Sequence, residues 1–209
     1  SCQPRDSDLS VFLDTDTVCC APMDFSEVPD DVSFFGVPEG VPTWKVEDEA
    51  WQPIYDMFGL PLPQQRVRLV RGRLIEMLPY FNAGFVGFRE KPDVPGTRLP
   101  DLWLDTALRL DFNETIEGKR PWLDQIALPV AAARAGGRLH VLPHSYNYSL
   151  YRRRPEERSF APQLAHYHMP VHYRSWDSCR AVTEHTLEIC PPNKRDHLRR
   201  HLGVFLRGL

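Results

Sequence analysis

Runs of apolar and polar positions divide the chain into short elements. Leu9-Ser-Val-Phe-Leu13 is β-branched and aromatic and ends in Asp14-Thr-Asp16-Thr17. That is the pattern of a buried strand delivering polar residues at its carboxyl end. Val32-Ser-Phe-Phe-Gly-Val37 predicts a second strand, and residues 38–46, carrying Pro, Gly and Trp, a loop. Between Glu47 and Phe58 the apolar residues Ala50, Trp51, Ile54, Met57 and Phe58 form a helical stripe, stopped by Gly59 and Pro61, although Pro53 lies inside it. Residues Tyr80 to Phe88 predict a strand whose small members, Ala83, Gly84 and Gly87, point to close approach of a ligand or of backbone. Leu99 to Phe112 predicts a helix with Leu102, Leu104, Ala107, Leu108 and Leu110 on or near one face. Pro121 to Ala135 predicts another, with Gly136-Gly137 after its end and Pro129 as a point where it could divide. Arg138–Leu142 and Gln163–His168 are strand candidates. Residues from about 194 to 207 predict a closing helix, with Leu198, Leu202 and Phe205 on one side. Strands and helices mix without regular βαβ repetition, so the expected fold is α/β: a mixed sheet flanked by helices in a single domain over residues 1–209.

Composition narrows the function classes. The 209 residues are 42% apolar and 25% charged, enough to build a core and too ordered in pattern for wholesale disorder. Twenty-five basic against 28 acidic residues leave a net charge of −3, which argues against a nucleic-acid binder. No stretch approaches the ~18 uncharged apolar residues of a membrane span, and no secretory leader is visible. The cysteines Cys2, Cys19, Cys20, Cys179 and Cys190 are odd in number and lack CxxC or CxxH spacing. A disulfide framework and a structural zinc site are therefore disfavoured, and a cytoplasmic setting is expected. The 20 prolines exceed the usual ~5% and predict short elements with many loops.

Asp14-Thr-Asp16 is the sharpest chemical feature. Two carboxylates one residue apart at a strand end can share a hard divalent cation, Mg²⁺ or Mn²⁺, which also takes phosphate oxygens. The plainer reading is a turn or helix cap. The string Asp14-Thr-Asp16-Thr-Val18 also fits the signature of haloacid-dehalogenase phosphatases, with Asp14 as nucleophile toward phosphate and Asp16 as general acid. That class requires a Lys and further acidic residues downstream. No acidic pair follows a plausible Lys, and Asp30-Asp31 comes too early.

Other motifs follow in order: Phe81-Asn82-Ala83-Gly84, then Trp122-Leu-Asp124-Gln125, then His166-Tyr-His168-Met-Pro170-Val-His172. With the opening Leu13-Asp-Thr-Asp-Thr17, the series resembles family 8-like glycosyltransferases of the GT-A fold over roughly residues 9–176. The resemblance implies a metal-dependent hexosyltransferase that moves a sugar from a nucleotide diphosphate donor, a UDP-sugar first among candidates, to a carbohydrate or lipid-linked acceptor. It implies Mn²⁺ or Mg²⁺ on Asp14, Asp16 and His166, and a usually retaining outcome. Asn82, Ala83 and Gly84 would face the donor, and Asp124 and Gln125 would flank the transferred sugar. The family's phosphate-binding Lys falls at His172 and a family Gly at Met169, and both are departures. The physical chemistry fits: charge grows on the departing diphosphate as an oxocarbenium-like state forms, and a metal there stabilises it as a Lewis acid.

Duller roles stand beside these. Asn82 could satisfy backbone in a bulged strand, and Asp124 could sit in a helix's first turn. His166, His168 and His172 are expected to alternate along a strand and share one face. Arg152-Arg-Arg154 reads as a solvated charge run, or as a site for an anionic acceptor. The arginines of the closing helix keep peripheral membrane contact as a minority reading. Only 13 residues precede the Asp-x-Asp, where the GT-A fold has a nucleotide-binding βα region. A fragment, a segment supplied elsewhere or a lost donor site is expected, with association into a homo-oligomer. A catalytically inactive binding domain is the alternative from another class.

Overall fold

The computed structural model describes residues 8–90 and 98–206. Cys2, the polar opening up to Ser7 and the end of the expected closing helix at Arg207 lie outside the described residues. The strands are β1 (Leu9–Leu13), β2 (Thr17–Cys19), β3 (Val32–Pro38), β4 (Val67–Arg68), β5 (Glu76–Met77), β6 (Phe81–Arg89), β7 (Arg138–Val141), β8 (Tyr148–Ser149) and β9 (Leu164–His166). The α-helices are α1 (Asp48–Asp56), α2 (Leu99–Phe112), α3 (Leu123–Arg134), α4 (Pro170–Arg174), α5 (Asp177–Ile189), α6 (Pro192–His201) and α7 (Gly203–Leu206). The fold is mixed α/β, with mixed sheets flanked by helices, as the pattern predicts. Contacts group the chain into two units. One runs up to Leu13 and resumes over Phe25–His144, and the other is Asp14–Asp24 with the chain from Ser145 onward.

The first unit is built on the sheet β1-β6-β3-β7. β6 is antiparallel to both β1 and β3, whereas β3 and β7 run parallel. Every residue of β3 is buried, because both faces of the sheet are covered. On one face Phe34, Val86 and Phe88 pack against Leu99 and Leu102 of α2 and Leu128, Ala131 and Ala132 of α3. On the other, the rings of Phe25, Phe35 and Phe85 pack at tilted angles with centroids 5.5–6.1 Å apart. Gly87 makes room for this, since a Cβ there would overlap the Phe35 ring. The close approach that a strand glycine signals is thus met here by an aromatic core. A second core joins Trp51, Ile54 and Tyr55 of α1 to Tyr80, Leu110, Ile126 and Val130.

Three readings change. β1 is an edge strand with Val11 and Phe12 exposed, not a buried one, because among the described residues only β6 pairs with it. In α2 the buried stripe is Leu99, Leu102, Thr106 and Leu110, while Leu104 and Leu108 are exposed. Both sets have helical spacing, and packing against α3 selects the first. Pro129 does not divide α3. The helix runs through it, and Gln125 to Ala132 are all buried, so packing offsets the lost hydrogen bond.

The second unit has the sheet β2-β9-β8, with β9 antiparallel to β2 and parallel to β8. Its core is Tyr148, Leu150, Ala165, Tyr173, Trp176 and Cys179, with Val18, Cys20, Tyr167 and Phe205 packed on it. The strand expected over Gln163–His168 ends at His166. His168 has φ 56°, and His172 lies on α4, so the three histidines do not alternate along one strand. The stretch read as a closing helix is divided at Leu202 into α6 and α7.

Candidate functional site

In the second unit, pairing places Thr17, His166 and Ser149 side by side across the three strands. The Asp-Thr-Asp segment enters β2 as a turn. Asp14 Oδ1 accepts the Thr15 N–H at 2.8 Å, and the Asp14 carbonyl accepts the Thr17 hydroxyl at 2.7 Å. Tyr167 pins the same loop, donating its N–H to the Asp16 carbonyl at 3.0 Å and its hydroxyl to the Thr15 carbonyl at 3.3 Å. Asp16 is thereby turned toward β9. Its Oδ1 lies 3.1 Å from Nε2 of the buried His166, and its Oδ2 lies 3.8 Å from Nδ1 of His168. The left-handed backbone at His168, which His tolerates better than most residues, folds its ring onto His166 with centroids 3.9 Å apart. Asn147 Oδ1 holds His166 Nδ1 at 3.2 Å, and Ser149 Oγ holds His168 Nε2 at 2.9 Å. Among the described residues, Asp16, His166 and His168 form the group able to hold a metal, with ligand atoms within 4.8 Å of one another. Exposed Asp14 is outside that group, as is His172, whose ring packs edge-on against Tyr151 at 5.6 Å. Arg153 and Arg154 are engaged internally. Arg153 stacks on Tyr148 and pairs with Glu157, and Arg154 pairs with Glu156 and Glu157.

The first unit carries a separate polar cluster at the carboxyl end of β3. The strand ends at Pro38, and the Glu39 side chain that follows accepts the Asn82 amide at 2.8 Å and the Gln125 amide at 3.0 Å. Thr43 donates to Gln125 Oε1 at 3.2 Å and meets the Tyr80 hydroxyl at 2.5 Å. Burial drives the Tyr80 phenol above its ordinary range, with the Glu39 and Asp124 charges adding to the effect. Asn82 and Gln125, 43 residues apart in sequence, are therefore brought together, and Glu39 joins them. Asn82 Oδ1 also accepts the N–H of Gly84, the local backbone role foreseen for it, while Ala83 is buried in β6. Asp124 sits in the first turn of α3, where the helix dipole favours a carboxylate. It also lines a cavity of about 860 Å³ with Phe12, Phe88, Leu99 and Trp103, a ligand-sized volume.

Sequence reasoning missed Glu39, Asn147 and Ser149. Glu39 lies in a loop without motif spacing. Asn147 and Ser149 act only through strand pairing.

The Rhodobacterales glycosyltransferase domain matches residues 1–136, more than half of the chain. The chain belongs to this glycosyltransferase family. Membership assigns it glycosyl transfer in general, with a sugar donor and an acceptor. The matched residues include Asp14, Asp16, Asn82, Asp124 and Gln125, and stop short of His166 and His168. No curated protein and no solved structure matches the chain. No described helix of this glycosyltransferase is long and apolar enough to cross a membrane.

Proposed function

We propose that this glycosyltransferase is a metal-dependent, GT-A-like hexosyltransferase that uses a nucleotide diphosphate sugar, a UDP-sugar first among candidates. The observation that carries the reading is the convergence of Asp16, His166 and His168 in a chain of this family. The residues fit a divalent cation: Asp16 Oδ1 is buried without a hydrogen-bond donor, and two imidazole nitrogens face the same carboxylate. A cation held there supplies positive charge to a departing diphosphate. Asn147 and Ser149 keep the two rings oriented toward the carboxylate. Separately, the Glu39–Asn82–Gln125 cluster of the first unit, next to Asp124 in sequence, offers amide and carboxylate groups of the kind that bind sugar hydroxyls. A retaining outcome and a carbohydrate or lipid-linked acceptor belong to the same reading.

Thermal unfolding with and without Mn²⁺, across UDP, GDP and a phosphate-ester mimic, tests it. A rise in melting temperature with one nucleoside diphosphate that requires the metal is the expected result. A rise only with the phosphate mimic, or none with either nucleotide, would overturn it.

A further inference from the structure

The Asp-x-Asp string invites the assumption that both carboxylates hold the metal. The side chains are arranged otherwise. Asp14 Oδ1 is engaged at 2.8 Å by the N–H of Thr15, and the carboxylate is exposed. Asp16 is half-buried, and its Oδ1 has no hydrogen-bond donor although His166 Nε2 lies 3.1 Å away. That contact lacks hydrogen-bond alignment. On the far side of the ring Asn147 Oδ1 meets His166 Nδ1 at 3.2 Å, so Nε2 is the ring nitrogen turned toward the carboxylate. A cation shared by Nε2 and Oδ1 satisfies both atoms. His168 repeats the pattern: Nε2 is held by Ser149 Oγ at 2.9 Å, and Nδ1 faces Asp16 Oδ2 at 3.8 Å.

The span is close to that of one ion. Ligand atoms within 4.8 Å of one another need to draw in by about 1–1.5 Å to reach the ~3.4 Å between ligands at ~2.1 Å in a tetrahedral site. His168 is the more exposed of the two histidines. The donor set also selects the ion. Mg²⁺ demands oxygen ligands, whereas imidazoles suit later first-row metals.

We propose that the metal centre is formed by Asp16, His166 and His168, with Asp14 outside it, and that it selects Co²⁺ or Zn²⁺ over Mg²⁺. The inference rests on reading this cluster as a metal centre, and goes further in exchanging one carboxylate of the Asp-x-Asp for a second histidine. Asn147 and Ser149 are then its orienting partners, and three protein ligands leave coordination positions for substrate oxygens.

Titration of the full chain with Co²⁺, followed by its visible absorption and by equilibrium dialysis, tests the assignment. One equivalent is expected to bind and to resist about a hundredfold excess of Mg²⁺. Asp16→Asn, His166→Ala and His168→Ala should each weaken Co²⁺ at least ~10-fold, while Asp14→Asn changes it less than ~3-fold. Melting temperatures without metal control for folding, and His168→Asn, which accepts the left-handed backbone, repeats the test where alanine unfolds the turn. Displacement by Mg²⁺, or loss of binding in Asp14→Asn with retention in both His168 variants, would overturn the ligand set and leave a metal centre of the Asp-x-Asp type. Absence of any Co²⁺ binding would overturn both the ligand set and the metal-centre reading.

Discussion

Asp14 and Asp16 are two residues apart and of one chemical type, yet they do different work. The first spends its carboxylate on the N–H of the next residue, and the second turns into a cluster of imidazoles. The same scale governs the thiols. Cys20 sits beside Cys179, whose hydrogen bond is the main influence pulling the Cys20 thiol down to about 7, against the opposing effect of burial. Cys179 is pushed up in return, first by that same bond and then by burial. Cys20 therefore becomes thiolate as pH rises through about 7, below the ordinary ~8.5 of a free cysteine. Alkylation by iodoacetamide, mapped by peptide mass, should show Cys20 reacting with a midpoint near neutrality. In Cys179→Ala that midpoint should move up toward the ordinary value, and an unmoved midpoint would show that Cys179 is not the cause.

At the scale of elements, burial decides between equally good patterns. α2 offers two stripes of helical spacing, and the one packed on α3 and the sheet is buried. In the first-unit sheet, β3 and β6 pair with Phe35 opposite Gly87, and the Phe35 ring lies where a Gly87 side chain would stand. Gly87→Ala should cost about 1–3 kcal/mol in urea unfolding, the usual penalty for overpacking a filled core. Phe35→Leu in the same chain should relieve part of that cost, so the double variant should be less destabilised than the two single effects summed. Strict additivity would place the strain elsewhere.

At the scale of the whole molecule, the two units are interleaved in sequence. A segment of 11 residues, Asp14–Asp24, leaves the first unit's edge strand and supplies β2 and Asp16 to the second. The candidate metal ligands thus come from segments about 150 residues apart in sequence and meet within one unit. A cation at about a hundred times its dissociation constant stabilises the state that binds it by ~2.7 kcal/mol. Hydrogen exchange with and without Co²⁺ should therefore slow for amides of β2, β8 and β9. Unchanged exchange in β9 would show that the ion does not sit on this sheet.

Much was legible in the chain itself. β1, β3, β6, β7, α2 and α3 were readable because apolar periodicity and Gly or Pro punctuation are local properties of the chain. The mixed α/β class followed from their order, and the chemistry-bearing strings Asp14-Thr-Asp16, Asn82-Ala-Gly84, Asp124-Gln125 and His166-Tyr-His168 stood out by residue type and spacing. Strands of two or three residues, such as β2 and β8, carry too few positions to show a period and exist only through their pairing with β9. Which aspartate faces the histidines, which histidines meet, and that Glu39 ties Asn82 to Gln125 were decided by tertiary structure alone. Each depends on where a side chain points after distant segments pair, and sequence spacing carries no information about that direction.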